Sequence, residues 1–328
     1  MSQYMRAVVV AAHGGPDVLE LVRVPAPPLG PDEVRVRVRS IGLNFRDVKL
    51  RTGPSADVVV PFTPGSDFAG DIVEVGAEVA SIRTGDRVFG VTTHGAYAEE
   101  VVTPAVMVMP IPDGAEYDTA AILPVAGLSA SFLLSTAGVE KGQTAVTYAA
   151  AGGLGCFLGG LLAAAGVQSI GITSSGDKAA VARAAGHDEI INYRDTDPVR
   201  AVKDLTDSSG ADVVFDSVAG PGFGRSFRML SNHGTVVLCG RSAGDPDLSA
   251  VGPDFLGVRR NLALREFYLS THIFDHLGEV PDRLDELATG LRDRRLNVPI
   301  TTFALDDVRR AHELLGAGAT VGKLILHP

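Results

Sequence analysis

The sequence predicts an α/β chain with a β-rich part at both ends and a doubly wound parallel sheet between them. Three observations carry this. The first third holds short strand-like runs split by glycine, proline and aspartate. From about Ser129, strand and helix patterns alternate. After about Leu264 the elements become mixed again. Alternating β and α units imply a parallel sheet wrapped by helices, whereas closely spaced short strands imply a small barrel or sandwich.

The elements follow in order. In EVRVRVRSIG, Val34, Val36 and Val38 alternate with Arg35, Arg37 and Arg39, which predicts a strand with one buried and one wet face. VPAPPLGPDE before it is a turn-rich connector. Further strands are expected at AVVVAA, DIVEVG, RVFGV and YAEEVV. In the middle, TAVTYA, SIGITS, EIINY, DVVFDSV and GTVVLCG read as strands. LGCFLGGLLAAAG, DKAAVARAAG, PVRAVKDLTD and FGRSFRMLS between them read as helices. In the last part FYLSTHI reads as a strand, PDRLDELATGLRDRR and LDDVRRAHELLG as helices, and KLILHP as a closing strand. This tail is too short for its own core and is expected to fold back onto the N-terminal part.

Composition narrows the function classes. The 328 residues suit two domains, and 45% hydrophobic with 21% charged residues suits an ordinary soluble protein. A net charge of −10 without a basic tract disfavours a nucleic-acid partner. Cys156 and Cys239 lie far apart in apolar stretches, which gives neither a disulfide framework nor a zinc spacing and suits a reducing cytoplasm. The opening MSQYMRAVVVAAHGGPD passes straight into a strand-like run and lacks the regions of a signal peptide.

Residues 142–176 include no charged residue. A membrane span needs about 20 mostly apolar residues, usually with charged anchors. Here Gly152-Gly153, Gly166 and Gln168-Ser169 interrupt the run, and no second span follows. Gly155 and Gly159 form a G-x-x-x-G, a dimerisation pattern in a membrane helix, but the strand–helix alternation around it argues against a membrane role. The run parses instead as one βαβ unit: strand 144–149, tight turn 150–155, helix 156–165, strand 168–173. A strand buried on both faces is apolar throughout, and glycine lets the backbone approach a pyrophosphate that meets the helix N-terminus.

Against the dinucleotide fingerprint G-x-G-x-x-G, residues 150–155 read Ala150, Ala151, Gly152, Gly153, Leu154 and Gly155, so alanine replaces the first glycine. The strand–turn–helix–strand context supports dinucleotide binding nonetheless. NAD sites usually place a carboxylate at the tip of the second strand to bond the ribose 2′-hydroxyl. Here Ser174 stands at that tip, followed by Ser175, Gly176, Asp177 and Lys178, one of five lysines in the chain. Small hydroxyls and a cation suit a 2′-phosphate, which points to NADPH; Asp177 bonding the ribose, with NAD preferred, is the alternative.

The motifs GGPDVLEL, VPAPPLGPDEVRVRV, IGLNFRDV, PFTPGSDFAGDIVEVG, GDRVFG, GAYAEE, AAAGGLG, INYRD, VVFDSVAG, GTVVLCG and GKLIL occur in this order along essentially the whole chain. In them the chain resembles the zinc-free quinone oxidoreductase branch of the medium-chain dehydrogenase/reductase superfamily. That branch includes the enoyl reductase domains of polyketide and fatty acid synthases, which NFRDV resembles in particular. The resemblance implies a GroES-like catalytic domain from residues 1–124 and 266–328. It implies a Rossmann NADPH-binding domain from 125–265, through which members form homodimers. It implies that Ser174, Lys178 and Tyr193 hold the adenosine 2′-phosphate. Ser129 and Asn44 are then expected by the nicotinamide, Gly240 and Arg241 flanking the cofactor, and the Phe267–Leu269 backbone at the carboxamide. A strand-end Tyr193 with its hydroxyl in water is the simpler alternative.

Zinc-dependent relatives carry a cysteine where this chain has IGLNFRD and a His-Glu pair where it has PGSDFAG. Both are absent here, and His94 with Asp67 cannot complete a tetrahedral set, so catalysis without metal is expected. Hydride addition to an activated C=C then needs orientation, a polar group at the enolate oxygen and a proton source. Many relatives place tyrosines shortly after N-F-x-D; here Lys49 and Ser55 stand roughly in their places. The catalytic candidates are therefore Asn44 and Lys49. A partly buried Lys49 would serve as acid or enolate stabiliser, and an exposed one would be ordinary helix surface. Asp47 is expected to cap or pair locally, His94 to be solvated, and solvent is an alternative proton donor. Arg46, Lys49 and Arg51 offer a charge argument for a phosphate-bearing acyl carrier or coenzyme-A thioester.

The leading expectation is an NADPH-dependent reductase of an α,β-unsaturated carbonyl or a quinone, with polyketide or other secondary metabolism as one setting. The alternatives are a cofactor-binding relative without turnover, as among lens and RNA-associated members, and a zinc-free alcohol dehydrogenase.

Overall fold

The valine–arginine run becomes a ten-residue strand, Glu33–Gly42. It belongs to a computed structural model that describes residues 4–55, 58–249 and 251–328. In chain order the elements begin with β1 (Tyr4–Val10), β2 (Leu19–Pro25), β3 (Glu33–Gly42), α1 (Phe45–Thr52), β4 (Asp67–Val75) and β5 (Arg87–Val91). β6 (Glu100–Pro104), β7 (Val108–Pro110), α2 (Tyr117–Ala121) and α3 (Leu128–Ala137) follow. Then come β8 (Thr144–Thr147), α4 (Gly153–Ala165), β9 (Gln168–Thr173), α5 (Gly176–Ala184), β10 (Glu189–Asn192), α6 (Pro198–Leu205), β11 (Ala211–Asp216), α7 (Gly224–Met229) and β12 (Leu230–Leu238). The chain ends with β13 (Ala263–Glu266), α8 (Leu269–Asp275), α9 (Val280–Arg292), β14 (Ile300–Ala304), α10 (Val308–Gly316) and β15 (Lys323–His327).

The described residues form two units. The first takes in the described residues up to Ala126, Leu284–Thr289 and Ile300–Pro328; the second, those of Gly127–Arg283 and Gly290–Pro299. In the first unit a seven-stranded sheet runs β14-β15-β3-β4-β5-β7, with β6 also paired to β3, and β1 and β2 form a separate hairpin. Val34, Val36 and Val38 point into a core with Phe68, Ile72, Tyr97 and Leu326. The alternation fails at one place. Arg35 is buried, between Glu74 at 3.0 Å and Glu100 at 3.7 Å, because neighbouring strands β4 and β6 each bring a carboxylate to it. The tail folds back as expected from residue 300 on, where β15 pairs antiparallel with β3.

In the second unit six strands, all parallel, run β10-β9-β8-β11-β12-β13. Numbered within this sheet the order is 3-2-1-4-5-6, so it reverses direction between β8 and β11. Val146, Ile170, Ile172, Val214 and Val236 fill its centre, which is why the middle of each of these strands is apolar. Among the described residues no helix is long and apolar enough to cross a membrane.

Two expectations need correction. FYLSTHI is not a strand: Leu269–Asp275 is helix α8. Its β-like composition yields to packing, since a helix buries Ile273 and sets His272 and His276 one turn apart against Phe132 of α3. The second domain boundary also falls later than 265. Residues 266–283 and 290–299 stay with the parallel sheet, held by these rings and by Leu296, which fills the space a side chain at Gly160 would need.

The uncharged run owes its glycines to close packing. A Cβ on Gly155 would lie 2.5 Å from the Ala149 carbonyl oxygen, and one on Gly159 would lie 2.9 Å from the His187 ring. So G-x-x-x-G here admits a strand turn and a buried histidine. Ala150, in place of the first fingerprint glycine, is fully buried, and its methyl faces Gly171 of β9, where a Cβ would come within 2.8 Å of it. The missing glycine has been moved to the adjacent strand. Gly171→Ala should therefore destabilise the protein by about 1–3 kcal/mol. The double variant Ala150→Gly/Gly171→Ala should recover part of that loss in urea unfolding; additive losses would refute the steric exchange.

Candidate functional site

In the parallel-sheet unit the candidate residues gather at the carboxyl ends of the strands. β8 ends at Thr147, and Ala149 turns the chain with φ +49°, a left-handed conformation that costs a non-glycine residue about 1–3 kcal/mol. Helix α4 then starts with Gly152 at its N-cap, which has no side chain to satisfy the first N–H groups. Ala151 is buried, while Gly152, Gly153 and Leu154 are half-buried. Glycine at the cap together with free N–H groups makes a place for an anion. The hydroxyls of Thr147 and Thr173, the last residues of β8 and β9, are buried without a hydrogen-bond partner.

The turn is braced from behind. His187 Nε2 donates to the Gly155 carbonyl at 3.0 Å, and its Nδ1 accepts from the Ser169 hydroxyl. The carbonyl only accepts, so the ring carries its proton on Nε2. Burial holds its pKa below the usual histidine range, so it stays neutral at pH 7.

Past β9, Ser174 and Lys178 are half-buried. Ser175 caps α5, accepting from the Lys178 N–H at 3.4 Å. The Lys178 ammonium titrates below the usual lysine range because of burial and the nearby Arg194 guanidinium. Two cations that repel one another, with Ser174 beside them, favour a bound dianion. Arg194 was not singled out from the sequence, although INYRD contains it; the signal was a second cation directly after the β10 strand end. Tyr193 is 51% exposed, tied to β9 through its backbone N–H and the Thr173 carbonyl.

Beyond β11 and β12, a Cβ on Gly240 would lie 2.7 Å from the Ser217 carbonyl oxygen, so glycine lets two strand ends approach. Arg241 is exposed and paired with Asp245 at 3.2 Å and Glu266 at 2.5 Å. Phe267 is buried, Leu269 half-buried and Ser129 buried on α3.

In the first unit a buried polar cluster surrounds Asn44, the N-cap of α1. Its Nδ2 donates to Asp67 Oδ2 at 2.9 Å and lies 3.4 Å from the Gly42 carbonyl; its Oδ1 accepts from Lys323 Nζ at 2.7 Å. An ammonium only donates and a carboxylate only accepts, so the amide has one possible orientation. Asn44 therefore cannot donate to an enolate oxygen without breaking its present bonds.

Asp47 is fully buried, accepting from the Asn44 backbone N–H at 2.9 Å and the Tyr97 hydroxyl at 3.1 Å. The capping expected of it is found, and its side-chain partner is Tyr97. Burial pushes its pKa up to about 6. The Tyr97 hydroxyl also meets His312 Nε2 at 3.0 Å, and burial lowers the His312 pKa to about 3.

The structure corrects the charge argument for a phosphate-bearing carrier. Arg51 is 3% exposed and bonds the Gly14 carbonyl, while Arg46 reaches Ser66 and Thr93. Lys49 is exposed on α1; the sequence could not separate these three because all lie within one short helix. His94 is exposed, as expected, and partial desolvation and the Arg46 guanidinium hold its pKa below the usual range.

Two family profiles match the chain: an alcohol dehydrogenase GroES-like domain over residues 30–113 and a zinc-binding dehydrogenase over 185–326. The chain is 36% identical to a quinone oxidoreductase of Pseudomonas aeruginosa, covering 98% of this chain and 99% of that one. It is 32% identical to a 2-haloacrylate reductase of Burkholderia sp, with 98% of each covered. The crystal structure of Escherichia coli quinone oxidoreductase complexed with NADPH superposes with a TM-score of 0.92 at 29% identity, covering 98% of this chain and all of that one. Among the described residues, no group of three or more His, Cys, Asp or Glu is placed to hold a metal ion.

Proposed function

Since this chain belongs to the quinone oxidoreductase branch of the medium-chain dehydrogenase/reductase superfamily, we propose that it is an NADPH-dependent reductase of quinones and activated C=C bonds. The observation that carries the cofactor reading is the strand tip: Ser174 stands where NAD sites place a carboxylate, with the Lys178 and Arg194 cations beside it. The glycine cap of α4 and its free N–H groups fit a pyrophosphate. NADPH, when bound, supplies the hydride.

The protein's own residues position and hold. The α4 cap receives the pyrophosphate, Lys178 with Ser174 and Tyr193 the 2′-phosphate, and Asn44 stands at the nicotinamide end. Ser129, Gly240, Arg241 and the Phe267–Leu269 backbone complete the reading. Lys49, exposed on α1, has its amine in water, so the proton for the reduced carbon comes from solvent or a solvent-exposed amine. The reaction is read as metal-independent, and Lys323 supports this: its ammonium already fills the place beside Asp67 that a cation would take. Quinones and acrylate-like acceptors are the substrates of choice, matching the names of the relatives; an enoyl thioester is the narrower possibility.

A homodimer through the parallel-sheet unit is part of the proposal. β13 is the outer strand of its sheet, and Leu256, Leu264 and Phe274 are exposed in the same stretch of chain. A monomer in sedimentation velocity would end that part.

Oxidation of NADPH should accompany reduction of a simple quinone or an acrylate, with kcat/KM well above that for NADH. Lys178→Ala should lower kcat/KM for NADPH about 10–100-fold, the loss of a charged hydrogen bond worth about 1.5–3 kcal/mol, and leave NADH nearly unchanged. Equal losses for both cofactors would contradict the phosphate assignment, and no oxidation with any acceptor would contradict the enzyme reading.

A further inference from the structure

Three side chains from separate parts of the first unit meet in line behind Asn44. Asp47 lies on α1, Tyr97 follows β5 and His312 lies on α10; all three are 0% exposed. The chain runs from the Asn44 N–H to Asp47 Oδ2 at 2.9 Å, to the Tyr97 hydroxyl at 3.1 Å, to His312 Nε2 at 3.0 Å. Both ends are unmet, since Asp47 Oδ1 and His312 Nδ1 are buried without a partner. Such orphaned atoms normally cost about 1–3 kcal/mol each, more when charged.

We propose that Asp47, Tyr97 and His312 are positioning residues for Asn44, and that the proton carried by this chain sets how firmly Asn44 is held. The proposal rests on the reading that Asn44 meets the cofactor. With Asp47 ionised, Tyr97 donates to it, His312 Nε2–H donates to the Tyr97 oxygen, and the carboxylate accepts the Asn44 N–H. With Asp47 protonated and the His312 proton moved from Nε2 to Nδ1, the chain reverses: Asp47 donates to Tyr97, and Tyr97 donates to the bare Nε2. The neutral carboxyl is then the weaker acceptor for the Asn44 N–H, and the head of α1 loosens.

The charged groups around Asp47 are few. Arg46 on its own helix and Lys323 on β15 favour its ionised form, while burial and Asp67 on β4 oppose it. Arg51, also on α1, acts on Tyr97 and His312. Asp67 is itself raised by burial, but Tyr97 bonds Asp47, so a change at Tyr97 reports on Asp47.

The test is the pH profile of kcat/KM for NADPH between pH 5 and 8.5, which reports ionisations of the free enzyme. Wild type should lose activity on the acid side with a midpoint near 6. Tyr97→Phe removes a donor to the carboxylate, so its midpoint should rise by about one pH unit. At pH 8.5 it should return to within about twofold of wild type. Ionisation of the cofactor's own 2′-phosphate is common to both proteins and cancels in the comparison. His312→Leu, which weakens the same chain from its far end, should shift the midpoint in the same direction and serves if Tyr97→Phe does not fold. An unchanged midpoint in a folded variant, or a loss uniform across pH, overturns the proposal. Asn44→Ala separates the two readings: NADPH kinetics unchanged by it would remove the role of Asn44 itself, whatever the midpoints do.

Discussion

A lysine ammonium 4% exposed lies 3.4 Å from a carboxylate that is 0% exposed, and the first unit is arranged around that pair. Taking both charges out of water costs several kcal/mol per ion, which only good geometry and further hydrogen bonds offset. Those bonds are present. Lys323 Nζ reaches the Leu43 carbonyl, Asn44 Oδ1 and Asp67, which uses all three of its N–H groups. Asp67 also accepts from the Asn44 amide and the Val125 N–H. The pair thus connects β15 to β4 across the end of β3, where the candidate asparagine sits. One consequence is chemical: the amide of Asn44 has a single orientation, with its oxygen toward the Lys323 ammonium.

The second unit meets a steric constraint instead. A strand, a tight turn and a helix must pack with almost no side chain between them. The glycines lie where a Cβ would collide with backbone or with a buried ring, and Gly171 provides the room that Ala150 takes. His187 then ties the first turn of α4 to β9 through Gly155 and Ser169. The turn before α4 therefore owes its rigidity as much to the strand behind it as to its own sequence.

The periodic elements were legible in the sequence, and the reasons are plain. The β3 alternation and the apolar centres of β8, β9 and β11 report directly on how many faces are buried. FYLSTHI was misread because seven residues of mixed composition fit either period, and only packing against Phe132 selects the helix. The domain boundary was missed for the same reason. At the candidate site the glycines, Ser174 and Lys178 could be read from local motifs. The Asp67–Lys323 pair, separated by 256 residues, and the Asp47–Tyr97–His312 chain could not, because no local pattern links residues so distant. Arg35 and Arg51 show the converse: charge in a sequence reads as surface until a buried partner is seen.

Lys323 and Asp67 act as one unit. A double-mutant cycle in urea unfolding, using Asp67→Asn, Lys323→Met and the double variant, measures this directly. Each single change leaves its partner buried and uncompensated and should cost about 3–5 kcal/mol. The double variant should cost clearly less than the sum, by about 2 kcal/mol or more. Losses that simply add would show that the two groups are independent, and would contradict the account of how Asn44 is held.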